Sequence, residues 1–316
     1  MERTVLVKNI RDTLSKAGFY VSDFHSIRLS GFDIVARRDN TLLIIKVLTN
    51  IDSFSEDVAN EIQTLASLLK AHPLLIGEKT GFYPLEDGVV YFRFGIHTIT
   101  LDTLRNHLFE GMPIKAFAAP GGLYANLDEE KIQMLRHKQG ISLGSFARTV
   151  RVSRKTAQLY EQGMNARIEI ASRIEEVLED SVTVPIDILQ PQAGKITEDK
   201  APLQRKNPLE AFQQDIFSIL ESVGYKIIHM EKCPFEAVSK ERESVLLTSA
   251  HKYDRRLVQK AYVMSKISKI TEKHAVVFTD RETSKTNVEG TPLIKKKELR
   301  KIRDPEEIIE LIIERM

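Results

Sequence analysis

The stretch "GFDIVARRDNTLLIIKV", Gly31 to Val47, sets an acid and a lysine on what read as neighbouring strands. Asp33 opens the first strand, a polar turn follows at residues 37–41, and Lys46 lies inside the apolar run of the second. Residues two apart on a strand share a face, so position 44 looks the same way as Lys46. Two carboxylates and a lysine so arranged would hold a divalent cation and orient water at a phosphodiester. Position 44 is Ile44, which cannot ligate a hard cation. Asp57 or Glu61, on the element that follows, would have to supply a displaced ligand. The other role for Lys46 is an ion pair with Asp33, or a stem lying on apolar surface with its ammonium in water.

The elements that must position this pair recur in the chain. "VLVKNIRDTLSKAGFYV" is an amphipathic helix with Val7, Ile10, Leu14 and Ala17 on one face, stopped at Gly18. "FQQDIFSILESVGYKI" repeats it, with Ile216, Leu220 and Gly224 at the matching places. The opening stretch lies without gaps on "PFEAVSKERESVLLTSA", pairing Phe32 with Phe235, Asp33 with Glu236, Val35 with Val238 and Leu43 with Leu246. Leu247 and Ser249 then stand opposite Ile44 and Lys46. A helix follows in each copy, Ile62, Leu65 and Leu68 matching Met264, Ile267 and Ile270, and then a buried strand, "PLLIG" or "AVVFTD". Last, Gly95 to Leu104 aligns without gaps with Gly290 to Leu299. The reading is an internal duplication of an α/β domain with a mixed sheet flanked by helices. The plainer alternative is two unrelated α/β segments that share an element order.

The order helix, strand, strand with acid, strand with lysine, helix, strand resembles the restriction-endonuclease-like fold, which includes archaeal Holliday-junction resolvases. In that superfamily the third strand carries Glu or Gln two residues before its lysine. The resemblance makes Asp33 and Lys46 vestiges of a nuclease site that lacks its second carboxylate at Ile44. In the second copy Glu236 keeps the acid, while Leu247 and Ser249 replace the other two groups. No catalytic residue and no metal are therefore expected, and the modules serve as scaffold or interaction surface, since fold alone does not give function.

Composition sets limits on the rest. With 316 residues, 42% hydrophobic and 28% charged, the chain is long enough for two or three soluble domains. A net charge of +2 requires any nucleic-acid site to be a local patch. One cysteine, Cys233, excludes intrachain disulfides and cysteine-based zinc sites and fits the cytoplasm. The eight histidines have no ligand spacing, no apolar run reaches membrane-spanning length, and the polar, helical start is unlike a signal peptide.

The patch lies in the middle. Between residues 131 and 168 eight bases face one acid, a balance of +7, and between 169 and 180 five acids face one base, a balance of −4. Residues 113–126, "PIKAFAAPGGLYAN", read as a linker or irregular docking segment. Helices are then expected from Leu127 to Lys138, over "LGSFARTV", over "RKTAQLYEQ" and over "ARIEIASRIEEVLED". Ser142 and Ser153 are the caps of the second and third, and Gly163 stops the third. Two short helices, a tight turn and a basic start to the second make a helix-turn-helix.

"GISLGSFARTVRVSRKTAQLYEQG" closely resembles the Cro/CI-type family. It carries Ile141-Ser142, an alanine at Ala147, Val152-Ser153 before the recognition helix, and Tyr160-Glu161-Gln162-Gly163 at its end. Arg151 departs from the family's usual turn glycine. Docking geometry assigns Arg154 to guanine and Gln158 to adenine, with Ser153, Lys155, Thr156 and Leu159 also at base edges. Ser142, Arg148 and Arg151, together with the Ser153 hydroxyl, fall to phosphates. Tyr160 and Leu159 fit a core equally well.

The expected architecture is α/β plus all-α: two restriction-endonuclease-like domains, residues 1–112 and 207–316, flank a lambda-repressor-like helix-turn-helix domain, residues 127–189, through linkers at 113–126 and 190–206. As a whole it resembles an archaeal family of helix-turn-helix transcriptional regulators. The resemblance implies a sequence-specific regulator that binds double-stranded DNA, works as a homodimer on paired half-sites, needs no cofactor, touches no membrane and meets the transcription machinery. The rivals are a structure-specific nuclease guided by the helix-turn-helix, and an architectural DNA binder.

Overall fold

The computed structural model describes residues 2–22, 31–190 and 210–316, so the expected linker at 190–206 lies almost wholly outside the described residues. The chain begins α1 (Arg3–Lys16), β1 (Tyr20–Val21), β2 (Ile34–Arg38), β3 (Thr41–Asn50), α2 (Glu56–Leu69) and β4 (His72–Thr80). It continues β5 (Tyr83–Pro84), β6 (Val89–Arg93), β7 (Ile96–Ile99), α3 (Leu101–Phe109), β8 (Ala116–Ala119) and β9 (Gly122–Leu127). Next come α4 (Glu129–Lys138), α5 (Leu143–Val150), α6 (Arg154–Tyr160), β10 (Ala166–Arg167), α7 (Ile168–Leu178) and β11 (Thr183–Val184). The last part holds α8 (Ala211–Val223), β12 (Lys226–His229), β13 (Ala237–Glu241), β14 (Ser244–Ala250), α9 (Arg255–Thr271), β15 (His274–Thr279), β16 (Asn287–Val288), β17 (Thr291–Lys295), α10 (Lys296–Leu299) and α11 (Pro305–Glu314).

Two compact units result, and their boundary runs through β3 and β4. Unit 1 comprises residues 1–47, 54–74 and 189–316; unit 2 comprises residues 48–53 and 75–188.

Unit 1 brings parts of both expected α/β copies together. In the second, the strands lie in the order β12-β13-β14-β15-β17-β16, parallel from β14 to β17 and antiparallel at the ends. Ile216 and Leu220 of α8 pack with Leu246, Val276, Phe278 and Ile294 of the sheet and with Ile308 and Ile312 of α11. The helical spacing of these apolar residues is what commits one face of α8 to the sheet.

The two strand pairs singled out in the sequence have one register. Ile34 faces Ile45 and Val35 faces Ile44, while Ala237 faces Thr248 and Val238 faces Leu247. Both hairpins turn through a residue in the left-handed region, Asp39 at φ 51° and Arg242 at φ 48°. In unit 2, β6 and β7 turn through Phe94-Gly95, and in unit 1 β16 and β17 turn through Glu289-Gly290, all four with positive φ. Two successive positive φ values are the primed-turn geometry that matches strand twist.

Within unit 1 the contacts between the two segments read as copies are reciprocal. Lys70, the left-handed cap of α2, reaches Glu243 in the β13–β14 hairpin at 3.5 Å. Glu272, the left-handed cap of α9, reaches Arg37 of β2 at 2.8 Å. Glu61 of α2 accepts the backbone N–H groups of Glu231 at 3.0 Å and Lys232 at 2.6 Å, and Gly31 N–H donates to Lys232 O at 2.9 Å. Glu61 is thus a backbone clamp between the copies, not a displaced metal ligand. Burial, followed by the nearby Glu61 carboxylate, pushes the Cys233 thiol well up.

In unit 2 the strands β7, β6, β8, β9 and β10 are neighbours in that order. Residues 113–126 are therefore not an irregular linker. Alternating Ala116–Ala119 and Gly122–Leu127 around Pro120-Gly121 make a hairpin, β8 pairing parallel with β6. Leu127 ends β9 and does not begin a helix, since Asp128 caps α4 by accepting from Lys131 N–H at 2.9 Å. After the last of these helices the short strand β11 pairs with β9.

Candidate nucleic-acid interface

Helices α4 to α7 close on one apolar core. Ile132, Leu135, Phe146, Ala147, Val150, Ala157, Tyr160, Ala171, Ile174 and Leu178 are buried in it with Ala125 and Leu127 of β9. The i, i+3, i+4 spacing in each helix turns those residues inward and leaves the opposite faces polar. Tyr160 is core, and burial raises its phenol above the ordinary range. Ser142 accepts from Ser145 N–H at 3.1 Å and Ser153 from Thr156 N–H at 3.0 Å, so both expected caps are made. The Ser153 hydroxyl also bonds the Thr156 hydroxyl at 2.8 Å.

Between α5 and α6 the chain turns at Arg151, φ 60° and ψ 49°, with its N–H on Arg148 O at 3.1 Å and the Val152 N–H on Ala147 O at 2.9 Å. The left-handed conformation that the missing glycine would have made easy is present, carried by an arginine.

Of the site residues read from sequence, Ser142, Arg148, Arg151, Ser153, Arg154, Lys155 and Gln158 are exposed, and Thr156 and Leu159 are half-buried. Arg154, Lys155 and Gln158 stand on the side of α6 opposite Ala157 and Tyr160. Two bases counted in the positive cluster are otherwise engaged. Arg136 is buried and forks onto Glu161, Nε to Oε1 at 2.5 Å and Nη2 to Oε2 at 3.2 Å. Lys131 pairs with Asp180 at 3.0 Å. The Arg136–Glu161 pair cancels within the count, so only the Lys131–Asp180 pair lowers the apparent +7, by one. Sequence reasoning missed the Arg136–Glu161 pair because twenty-five residues of chain separate the partners.

The two acid sites of unit 1 were legible in part. Asp33 Oδ2 accepts from Val47 N–H at 2.8 Å and lies 3.6 Å from Lys46 Nζ, while Oδ1 takes the Arg3 guanidinium. Arg3 Nε also donates to Val47 O at 3.0 Å. In the second copy Glu236 accepts from Ala250 N–H at 3.1 Å and Ser249 Oγ at 2.7 Å, and its other oxygen takes Lys260. Gln213 Nε2 donates to Ala250 O at 3.1 Å, the place Arg3 takes in the first copy. Ile44 and Leu247 are fully buried and apolar.

Lys46 is 7% exposed, and burial holds its ammonium below lysine's ordinary range against the pull of Asp33. It is an ion-paired strand lysine. These residues do not fit a divalent ion: each site has one carboxylate, already filled by the chain's own cations. Among the described residues no group of three or more His, Cys, Asp or Glu side chains converges on a metal position. Arg3 and Lys260 were invisible as site residues in the sequence, since each comes from a helix outside the strand pair. Among the described residues no helix is long and apolar enough to cross a membrane.

Comparison with known proteins supports a nuclease-like fold for the first module and adds the family. A model described as a PD-(D/E)XK superfamily domain matches residues 3–114. No solved structure matches the chain. A protein of Methanosarcina acetivorans, named "Putative HTH-type transcriptional regulatory protein", is 37% identical over 321 residues, covering 100% of this chain and 98% of that one. A like-named relative from Methanosarcina barkeri is 36% identical over 320 residues, covering 100% and 98%. One from Natronomonas pharaonis is 37% identical over 320 residues, covering 100% and 99%. At that identity over the whole of each chain, this protein belongs to the archaeal family that bears the HTH-type transcriptional regulatory name.

Proposed function

We propose that the chain is a sequence-specific transcriptional regulator that binds double-stranded DNA through a Cro/CI-type helix-turn-helix, with α6 in the major groove. The observation that carries this reading is the exposed row Arg154, Lys155 and Gln158 on a helix whose other face is core. A helix so anchored presents its first turn to base edges, where Arg154 suits guanine and Gln158 suits adenine. Ser153, Thr156 and Leu159 complete the base-facing set, while Ser142, Arg148 and Arg151 fall at the backbone.

The outer modules are a duplicated restriction-endonuclease-like pair without catalysis. The matching hairpin registers support duplication, and the Arg3 and Lys260 contacts support loss of the metal site. Their reciprocal contacts favour pairing of the two modules within one chain. A homodimer on a two-fold operator would then be built through other surfaces.

The test is a binding titration over a library of duplexes. Arg154→Ala should erase preference at one base position, a loss of about 1–3 kcal/mol. If it weakens every sequence alike, α6 does not read bases there and an architectural binder is the better description.

A nuclease is the second reading, favoured by the PD-(D/E)XK match. Incubation with Mg²⁺ or Mn²⁺ and linear or branched DNA decides it. Metal-dependent cleavage abolished by Asp33→Ala would replace the regulator-only account.

A further inference from the structure

The hairpin β8–β9 is built into the helical core of unit 2, yet its tip carries nothing that core needs. Ala125 and Leu127, toward one end of β9, are buried with Phe146, Ala157 and Tyr160. At the other end Pro120, Gly121 and Gly122 are exposed. Gly121 has φ +97° and Gly122 φ +140°, and a Cβ on Gly122 would meet no atom within 4 Å. A proline followed by a left-handed glycine is the residue pattern of a type II turn, which stiffens the tip without a side chain.

Beside this bare tip stands Arg167. It pairs across β9 and β10 with Tyr124, and its Nη2 lies 3.5 Å from where a Gly121 Cβ would be. Tyr124 O–H donates to Pro120 O at 3.3 Å, which fixes the tip against the ring. Arg167 is exposed and forms no ion pair among the described residues. The chain reaches it directly from the C-terminal end of α6, and Tyr124 lies within electrostatic reach of Tyr160, the last residue of α6. The Glu129 carboxylate, past the far end of β9, lies 3.5 Å from where a Gly163 Cβ would be, four residues before Arg167. Glu169, on the first turn of α7, is the acid nearest Arg167 in sequence.

We propose that the β8–β9 hairpin is a wing that lies against the phosphate backbone of duplex DNA beside α6, with Arg167 as its cation and the Pro120–Gly122 tip as its close-approach surface. The proposal rests on the helix-turn-helix reading. A side chain at the tip would hold the backbone of the wing away from the phosphates, and the glycines remove it. An unpaired guanidinium beside the tip supplies the charge that a phosphate would neutralise. Such contacts add affinity and register without base preference.

Tip charge provides the test. Duplex affinity is measured against salt for the whole chain and for Arg167→Ala, Pro120→Glu and Pro120→Lys, with hydroxyl-radical footprints of each. Arg167→Ala should lower the slope of log K against log salt by about 1. Pro120→Glu should weaken binding several-fold on every sequence and uncover a backbone segment flanking the major-groove site. Pro120→Lys should tighten binding and keep that segment protected, an outcome misfolding cannot produce. Unchanged affinity and footprint in both Pro120 variants, while Arg154→Ala still shifts base preference, would overturn the wing and leave the regulator intact. If the unaltered chain binds no duplex, the helix-turn-helix reading fails and the wing with it.

Discussion

Asp33 and Glu236 do the same thing in two strand pairs: each accepts the N–H of the corresponding residue on the facing strand, Val47 at 2.8 Å and Ala250 at 3.1 Å. Each also takes a cation from a different helix, Arg3 of α1 or Lys260 of α9. Ionised carboxylates that are nearly buried need such partners, because an unpaired buried charge is costly. Both carboxylates are thereby internally neutralised strand anchors.

Restoring the missing carboxylate should therefore not restore cleavage. Ile44→Glu introduces an acid at a position with no exposure, against Val35 and the facing sheet. The expected result is a loss of about 3 kcal/mol or more in urea unfolding and no cleavage of plasmid DNA with Mn²⁺. Metal-dependent cleavage by this variant would show that Asp33 can release Arg3 for a metal.

Lys46 gives a pH signature. Its folded pKa is lowered by burial, so between that value and 10.5 the unfolded state binds the extra proton. Stability from this residue consequently rises as pH increases through that window. Lys46→Met should remove the alkaline rise and leave neutral-pH stability equal or higher, since Asp33 keeps Arg3. Urea midpoints at pH 7 and pH 10 check both parts; a strong loss at pH 7 would mean that the Lys46–Asp33 pair outweighs the desolvation of the lysine.

What could be read in advance followed from periodicity and local chemistry. Ile10, Leu14, Ile216 and Leu220 repeat at helical spacing, and all are fully buried. Ser142 and Ser153 announced two helix starts by side-chain type, and Gly163 a stop. The β8–β9 hairpin escaped because Ala, Gly and Pro weaken strand propensity, and it is pairing with each other and with β6, β10 and β11 that makes strands of them. Arg3, Lys260 and the Glu61 clamp escaped for another reason: long-range ion pairs leave no period in sequence. Counting Arg136 as surface charge failed the same way, since its type gives no hint that Glu161 buries it.

That buried pair positions α6 on α4. Arg136 also donates to Ile141 O at 2.9 Å, and Gln133 to Glu161 O at 2.6 Å. Arg136→Met leaves Glu161 buried and unpaired, which should cost about 3–5 kcal/mol and weaken DNA binding with it. The double variant Arg136→Met, Glu161→Leu should recover most of the stability. A double-mutant cycle from thermal melts gives the coupling; additive losses would show that the two residues act independently.

Glu61 should matter to the pairing of the two modules. Glu61→Ala leaves the N–H groups of Glu231 and Lys232 without their acceptor, a loss of about 3 kcal/mol. Glu61→Gln keeps one acceptor oxygen and should lose less. Hydrogen exchange locates the effect, with faster exchange expected at Glu231 and Lys232 in both variants; unchanged exchange there would remove Glu61 from the interface.

The turn residue Arg151 is predicted to trade stability for charge. At φ 60° an arginine is strained where glycine is not, so Arg151→Gly should stabilise unit 2 by about 0.5–1 kcal/mol after glycine's greater freedom in the unfolded chain is allowed for. The same change removes an exposed cation beside α6. On the proposed docking it should lower the salt slope of DNA binding by about 1 and leave base preference unchanged. Thermal melts and salt titrations of one variant therefore report opposite signs, higher stability with weaker binding. Strain carried without benefit at the phosphate would instead give higher stability with binding and salt slope unaltered, and Arg151 would then be a residue of the turn alone.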